Sequence, residues 1–188
     1  MVETHVSLSV DCLLNEDSYA IPLYQRNFSW TYDEIEQLLN DVADAFQEKR
    51  DNYYIGTLVV NEENGLFKII DGQQRLTTLM LLLRAFYEKY GSMKNDKAVK
   101  TSKFIEQCIW KTDEFGDPDK SALKIDSEVA TDKEKGEFLS ILKTGKVSEN
   151  EKSSYANNYR FFQQKIVDFL NTYPDWFLSL IHISEPTR

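Results

Sequence analysis

Residues that build disulfides, metal cages or histidine-based active sites are scarce in this sequence. Its two cysteines, Cys12 and Cys108, stand far apart and have no motif partner. That excludes a disulfide framework and fits two buried or idle thiols in a reducing compartment. The two histidines are His5 and His182, too few for a metal site with several His ligands. Long apolar runs are missing as well. The longest block, Leu79-Met80-Leu81-Leu82-Leu83, is five residues, against the roughly 20 needed to cross a bilayer. No basic-then-apolar secretory signal opens the chain, so a cytoplasmic protein with no membrane partner is expected.

Basic charge is also short where the motifs lie. Residues 1–90 hold 7 Lys/Arg and 15 Asp/Glu, a difference of −8, whereas residues 91–188 hold 15 and 16, or −1. Affinity for a DNA backbone comes largely from counterion release by clustered Lys and Arg. Strong non-specific DNA binding is therefore not expected of the acidic half. A small anion held by a few well-placed Arg and backbone N–H groups stays compatible with it.

What the sequence does contain is enough to fold. With 188 residues, 41% of them hydrophobic and 13% aromatic, the chain supports a real core rather than wholesale disorder. Residues 178–188 read as the translation of a sequencing adapter and are set aside from fold and site reasoning. On that reading the natural protein continues past Phe177, and His182 is no part of it.

Residues 18–21 are short and apolar before Pro22, which predicts a short strand running into an extended loop. Thr31 is a plausible N-cap, after which Ile35, Leu38, Leu39, Val42 and Phe46 recur at helical spacing, predicting a helix over 32–49. Residues 53–60 and 66–70 are β-rich around a polar turn, Asn61-Glu62-Glu63-Asn64-Gly65, and read together as a hairpin. A second helix is expected over 74–90, with Leu76, Leu79, Leu83, Phe86 and Tyr90 as its buried stripe. Further on, the pattern predicts a helix near 96–110, a polar turn over 113–119, a short strand at 122–125 and helices near 131–143 and 150–172. The expected class is α+β: a small mixed α/β core in residues 1–90, then a mostly helical extension of the same module over 91–177.

The densest chemical signal is Ile69-Ile70-Asp71-Gly72-Gln73-Gln74-Arg75-Leu76-Thr77-Thr78. A strand ends, Gly72 permits a tight turn and a helix begins at once. The first turn of a helix leaves backbone N–H groups unpaired and pointing outward, a ready anion site. Arg75 can grip a phosphate bidentately. Asp71 can hold a divalent cation or orient a water, and Gln73 and Gln74 can position that water or bond a base or ribose. The plainer reading is that Asp71 caps the helix while Arg75 and the glutamines lie on its wet face.

A second segment, Ile21-Pro22-Leu23-Tyr24-Gln25-Arg26-Asn27-Phe28-Ser29-Trp30, mixes stacking area with charge and amides, as ligand-contact loops do. Convergence of Gln25-Arg26 with Gln74-Arg75 would build a basic pocket in acidic surroundings. Tyr54-Ile55-Gly56-Thr57-Leu58-Val59-Val60 reads mainly as a core strand, with Gly56 marking a close approach of ligand or backbone. Asn157-Asn158-Tyr159-Arg160 reads as the polar face of an amphipathic helix.

Taken in order, Ile-Pro-x-Tyr-Gln-Arg-x-Phe-x-Trp, an amphipathic helix, Tyr-x-x-Gly-x-Leu-Val-Val and Ile-Ile-Asp-Gly-Gln-Gln-Arg-Leu-Thr-Thr-Leu resemble the N-terminal domain of GmrSD-type restriction endonucleases. The resemblance is close over residues 15–90 and reaches more loosely to Asn158-Tyr159-Arg160-Phe161-Phe162. It implies a fold similar to the ParB and sulfiredoxin class. It also implies that the Asp71–Arg75 segment binds and hydrolyses a nucleoside triphosphate with Mg²⁺, with Tyr24, Gln25 and Arg26 lining the pocket. On that basis Asp71, Gln74 and Arg75 are the expected catalytic residues, and Asp71 the metal ligand. Tyr24, Gln25, Arg26, Gly56, Gly72, Gln73, Thr77 and Thr78 are the expected nucleotide contacts. The family's His-Asn-His nuclease domain has no counterpart in residues 91–177, so DNA cleavage is not expected of this chain alone. DNA would be met through the full-length protein, by a C-terminal nuclease domain or a partner subunit. The competing expectation is a non-catalytic module that senses nucleotide or DNA and gates a separate nuclease.

Overall fold

The computed structural model describes residues 14, 18–22, 28–50, 53–127 and 133–172. It is an α+β structure. Strand β1 (Tyr19–Ile21) is followed by helix α1 (Tyr32–Gln47), the hairpin strands β2 (Val59–Glu63) and β3 (Leu66–Asp71), and the long helix α2 (Gln73–Gly91). Helix α3 (Asp96–Ile109) leads into β4 (Trp110–Thr112), β5 (Pro118–Leu123) and β6 (Ile125–Ser127), and the described chain closes with α4 (Lys133–Thr144) and α5 (Ser154–Thr172).

Four strands form one sheet in the order β2-β3-β1-β6. β2 and β3 are antiparallel, while β1 lies parallel to both β3 and β6. The three parallel strands therefore end at one edge of the sheet. In open α/β sheets that carboxyl edge is where ligands gather. β4 and β5 form a separate antiparallel pair.

Local sequence explains the element ends. Thr31 starts α1 as expected: its N–H and hydroxyl donate to the Glu34 carboxylate at 2.7 and 2.6 Å, the Glu half of a capping box. The buried face of α1 carries Ile35, Leu38, Leu39 and Val42, as the spacing predicts. The hairpin differs from its expected form. Its turn is the two residues Asn64 and Gly65, both at positive φ (55° and 77°), the geometry that matches strand twist. Asn61 to Glu63 thus belong to β2 rather than to a five-residue turn. The expected strand over 53–60 is also displaced: residues 53–58 are irregular, Gly56 sits at φ 119° and Tyr54 is 76% exposed. The β pattern of the sequence was real, but Gly56 delays pairing until Val59. The single strand expected at 122–125 is divided, with Lys124 between β5 and β6.

Helix α2 is the core of the molecule. Leu76, Leu79, Leu83, Phe86 and Tyr90 are buried as its stripe predicts, yet every residue from Gln73 to Phe86 except Arg75 is buried too. The helix packs on α3, α4 and α5, so its stripe is wrapped on all sides. Arg84, 3% exposed, links it to the end of α4. Its Nε donates to the Leu142 carbonyl at 3.0 Å and its Nη1 to Glu88 at 3.0 Å. The guanidinium also lies 5.1 Å from the Tyr87 ring centre and 5.8 Å from that of Trp110, within cation–π range. The Tyr159 hydroxyl, pushed up to about 12 by burial, stays protonated and donates to the Gly145 carbonyl at 3.3 Å. Cys108 is buried as expected, whereas Cys12 lies outside the described residues. Among the described residues no helix is long and apolar enough to cross a membrane.

Replacing Arg84 by Met keeps apolar bulk but leaves the buried Leu142 carbonyl without its charged donor. The expected loss is about 1.5–3 kcal/mol, read as a lower urea midpoint at unchanged slope. An unchanged midpoint contradicts this role for Arg84.

Candidate functional site

The carboxyl end of β3 meets the N-terminus of α2 at Gly72. This residue is left-handed, with φ 91° and ψ 6°, and no side chain caps the helix. The plainer sequence reading, in which Asp71 caps α2 and both glutamines lie on a wet face, is therefore overturned. A left-handed junction turns the Asp71 side chain outward, where it is 72% exposed. Gln73 and Gln74 are instead buried, at 3% and 6% exposure. The N-cap residue thus offers the first turn of α2 no side-chain acceptor, and helix N-termini attract anions.

The irregular stretch 56–58 packs against this junction and explains both nearby glycines. A Cβ on Gly72 would come 2.9 Å from the Thr57 carbonyl oxygen and 3.2 Å from the Leu58 Cα. A Cβ on Gly56 would meet Arg75 Nη1 at 2.6 Å. What approaches Gly56 closely is therefore the Arg75 side chain. That side chain donates from Nη2 to the Thr57 carbonyl at 2.6 Å and stands 3.7 Å from the Asp71 carboxylate. Arg75 is held by backbone on one side and stays about one-third exposed on the other.

Of the second segment, Tyr24, Gln25 and Arg26 lie outside the described residues. The described end of the same segment does reach the junction. Ser29 donates its backbone N–H to Gln74 Oε1 at 2.8 Å, with its hydroxyl 3.5 Å from the same oxygen. The next residue, Trp30, gives its carbonyl to Asn158 Nδ2 on α5 at 2.8 Å. Phe28 stacks on Tyr155 of α5 at 4.9 Å. Residues 28–30 are thus clasped between α2 and α5.

Asn158 is the site residue that sequence reasoning undervalued. It is 2% exposed, so it is no part of a wet helix face. Its neighbours Asn157 and Arg160 do other work: they bond the backbone of Lys152, Ser148 and Glu151 and fix the turn before α5. The available signal was an Asn on the buried side of an amphipathic pattern, since amides enter cores only with partners. Thr77 and Thr78 are fully buried on the second turn of α2. Among the described residues no group of three or more His, Cys, Asp or Glu could cage a metal ion.

The site is thus a strand–glycine–helix junction at the carboxyl edge of an α+β sheet, bearing one partly exposed arginine. The model of the GmrSD restriction endonuclease N-terminal domain family matches residues 10–187. The chain belongs to that family and is part of a DNA-restriction, phage-defence protein. The match also runs through residues 178–187, which the sequence reading set aside. No curated protein matches the chain.

Exchanging Asn158 for Leu removes the donor from the Trp30 carbonyl while keeping side-chain volume. The expected cost is about 1–3 kcal/mol, with faster amide hydrogen exchange over residues 29–31. Unchanged exchange there contradicts the clasp.

Proposed function

We propose that this domain binds a nucleoside triphosphate at the β3–α2 junction and hydrolyses it, and that the whole protein couples this turnover to restriction of modified DNA. One observation carries the reading: the N-cap Gly72 offers the first turn of α2 no side-chain acceptor directly beside Arg75, the one residue between Gln73 and Phe86 that is not buried. Phosphate oxygens would take the first-turn N–H groups, and Arg75 would turn its remaining donors to them while Thr57 holds Nη2. Gly56 leaves room for the Arg75 side chain, and Gly72 for the Thr57 carbonyl and Leu58. The exposed Asp71 carboxylate would orient the attacking water or help to hold Mg²⁺. Mg²⁺ fits here because it binds through one or two carboxylates plus substrate phosphates and water rather than a protein cage. When bound it would offset negative charge on the transferring phosphoryl group. Gln74, its amide oxygen engaged by Ser29, acts by positioning the segment that carries Tyr24, Gln25 and Arg26. The ParB- and sulfiredoxin-like fold and a cytoplasmic location belong to the same reading.

A second reading is a sensor that binds nucleotide or DNA without turnover and gates a separate nuclease. The engagement of Gln74 Oε1 with Ser29 favours it, because that oxygen is not offered to an attacking water.

Substitution of Asp71 by Asn preserves shape and removes charge. Phosphate release should be abolished while nucleotide binding stays comparatively intact. Arg75→Ala should weaken binding or turnover by about 2–4 kcal/mol, the scale for losing one partner of a desolvated charge pair. Arg75→Lys should recover only part, since it lacks the planar fork. Binding without phosphate release by the wild-type protein supports the sensor. Near-normal values for both Asp71→Asn and Arg75→Ala contradict the site.

A further inference from the structure

Buried polar atoms without hydrogen-bond partners are not spread evenly over the described residues. Of the eight such side-chain atoms, four lie on the first two turns of α2: both amide atoms of Gln73 and the hydroxyls of Thr77 and Thr78. An orphaned buried group is costly relative to a satisfied one, so a cluster of them calls for an explanation such as an absent ligand or water. A helical Thr ordinarily relieves itself by bonding the carbonyl four residues back. Here neither threonine does so. Gln73 and Thr77 are four apart and share one face of the helix. Gln73 is its first residue, next to Gly72.

These groups are unlike Arg75 in chemistry. An amide and a hydroxyl are neutral, and together they offer donors and acceptors side by side. Desolvated, such a pair gains little from a phosphate compared with a cation, but it matches an uncharged edge that presents a donor beside an acceptor. Resting on the nucleotide reading above, we propose that Gln73 and Thr77 hold the nucleoside part of the ligand, and that they rather than Arg75 discriminate between nucleotides. The edge they read is that of the base or the ribose. A site that hydrogen-bonds a ligand edge rejects analogues lacking it, because its own buried groups are then left unpaired.

Thr77→Val and Gln73→Leu test this, with three ligands: ribonucleoside triphosphates of each base, their 2′-deoxy counterparts, and inorganic tripolyphosphate. Both variants should melt, without ligand, at or above the wild-type temperature, since each removes an orphaned group. Each should bind its preferred nucleoside triphosphate about tenfold more weakly, the loss of one net hydrogen bond, and bind tripolyphosphate as the wild type does. A discrimination among bases that the variants erase assigns the base edge; an erased discrimination against 2′-deoxy ligands assigns the ribose. Thr101→Val, on α3, removes another buried, partnerless hydroxyl and should leave every affinity unchanged. Equal weakening toward tripolyphosphate, unchanged nucleotide affinity, or a fall in melting temperature overturns the proposal while leaving the phosphate site standing. A wild-type protein that binds neither nucleotide nor tripolyphosphate overturns the underlying nucleotide reading itself.

Discussion

The left-handed turn at Gly72 is the constraint on which the site depends. An L side chain there would carry the usual strain of positive φ, about 1–2 kcal/mol, and would also run into the Thr57 carbonyl and the Leu58 backbone. With glycine, β3 passes into α2 without an intervening loop. Three consequences follow together. Asp71 is thrown outward, the helix begins without a side-chain cap, and Arg75 lands across Gly56 with one nitrogen tied to Thr57. A conventional Ser or Asp cap would have satisfied a first-turn donor internally and competed with the proposed anion.

Holding that junction rigid is the task of the rest of the fold. Helix α2 packs on α3, α4 and α5, and Arg84 pins its middle to the end of α4. Two side-chain amides on different helices, Gln74 and Asn158, take successive backbone groups of Ser29 and Trp30. The segment that follows β1 is thereby tied to the segment that follows β3, at the edge where both strands end. In a chain of net charge −9, this arrangement sets the Arg75 guanidinium beside a helix N-terminus, which is what the proposed anion site rests on. It suits a compact ligand far better than a DNA backbone.

Most helices were legible because their apolar residues recur at helical spacing and because their starts carry local signals, such as the Thr31–Glu34 box. The junction itself was legible as Asp-Gly before a helical pattern. Its burial was not: Gln73 and Gln74 look solvated in sequence, and only the tertiary structure, such as the Ser29 backbone meeting Gln74, puts them inside. Strand pairing was read less well. A β-rich run from residue 53 suggested early pairing, but the positive φ of Gly56 postponed it to Val59, and three-residue β6 has too little pattern to announce its pairing with β1. Asn158 was missed because its partner, the Trp30 carbonyl, is a backbone group 128 residues away, which no local pattern encodes. The Tyr24-Gln25-Arg26 part of the expected pocket lies outside the described residues.

Family membership makes this chain a domain of a restriction protein, and the nucleotide-handling role within that work is our proposal. The most direct test is amide chemical-shift mapping of the isotopically labelled protein during titration with a nucleoside triphosphate and Mg²⁺. The account predicts saturable shifts concentrated at Gln73, Gln74 and Arg75 and at the facing Gly56 and Thr57, with the far end of α2 near Tyr90 unmoved. Saturable shifts confined to another surface, or none at all, would contradict it.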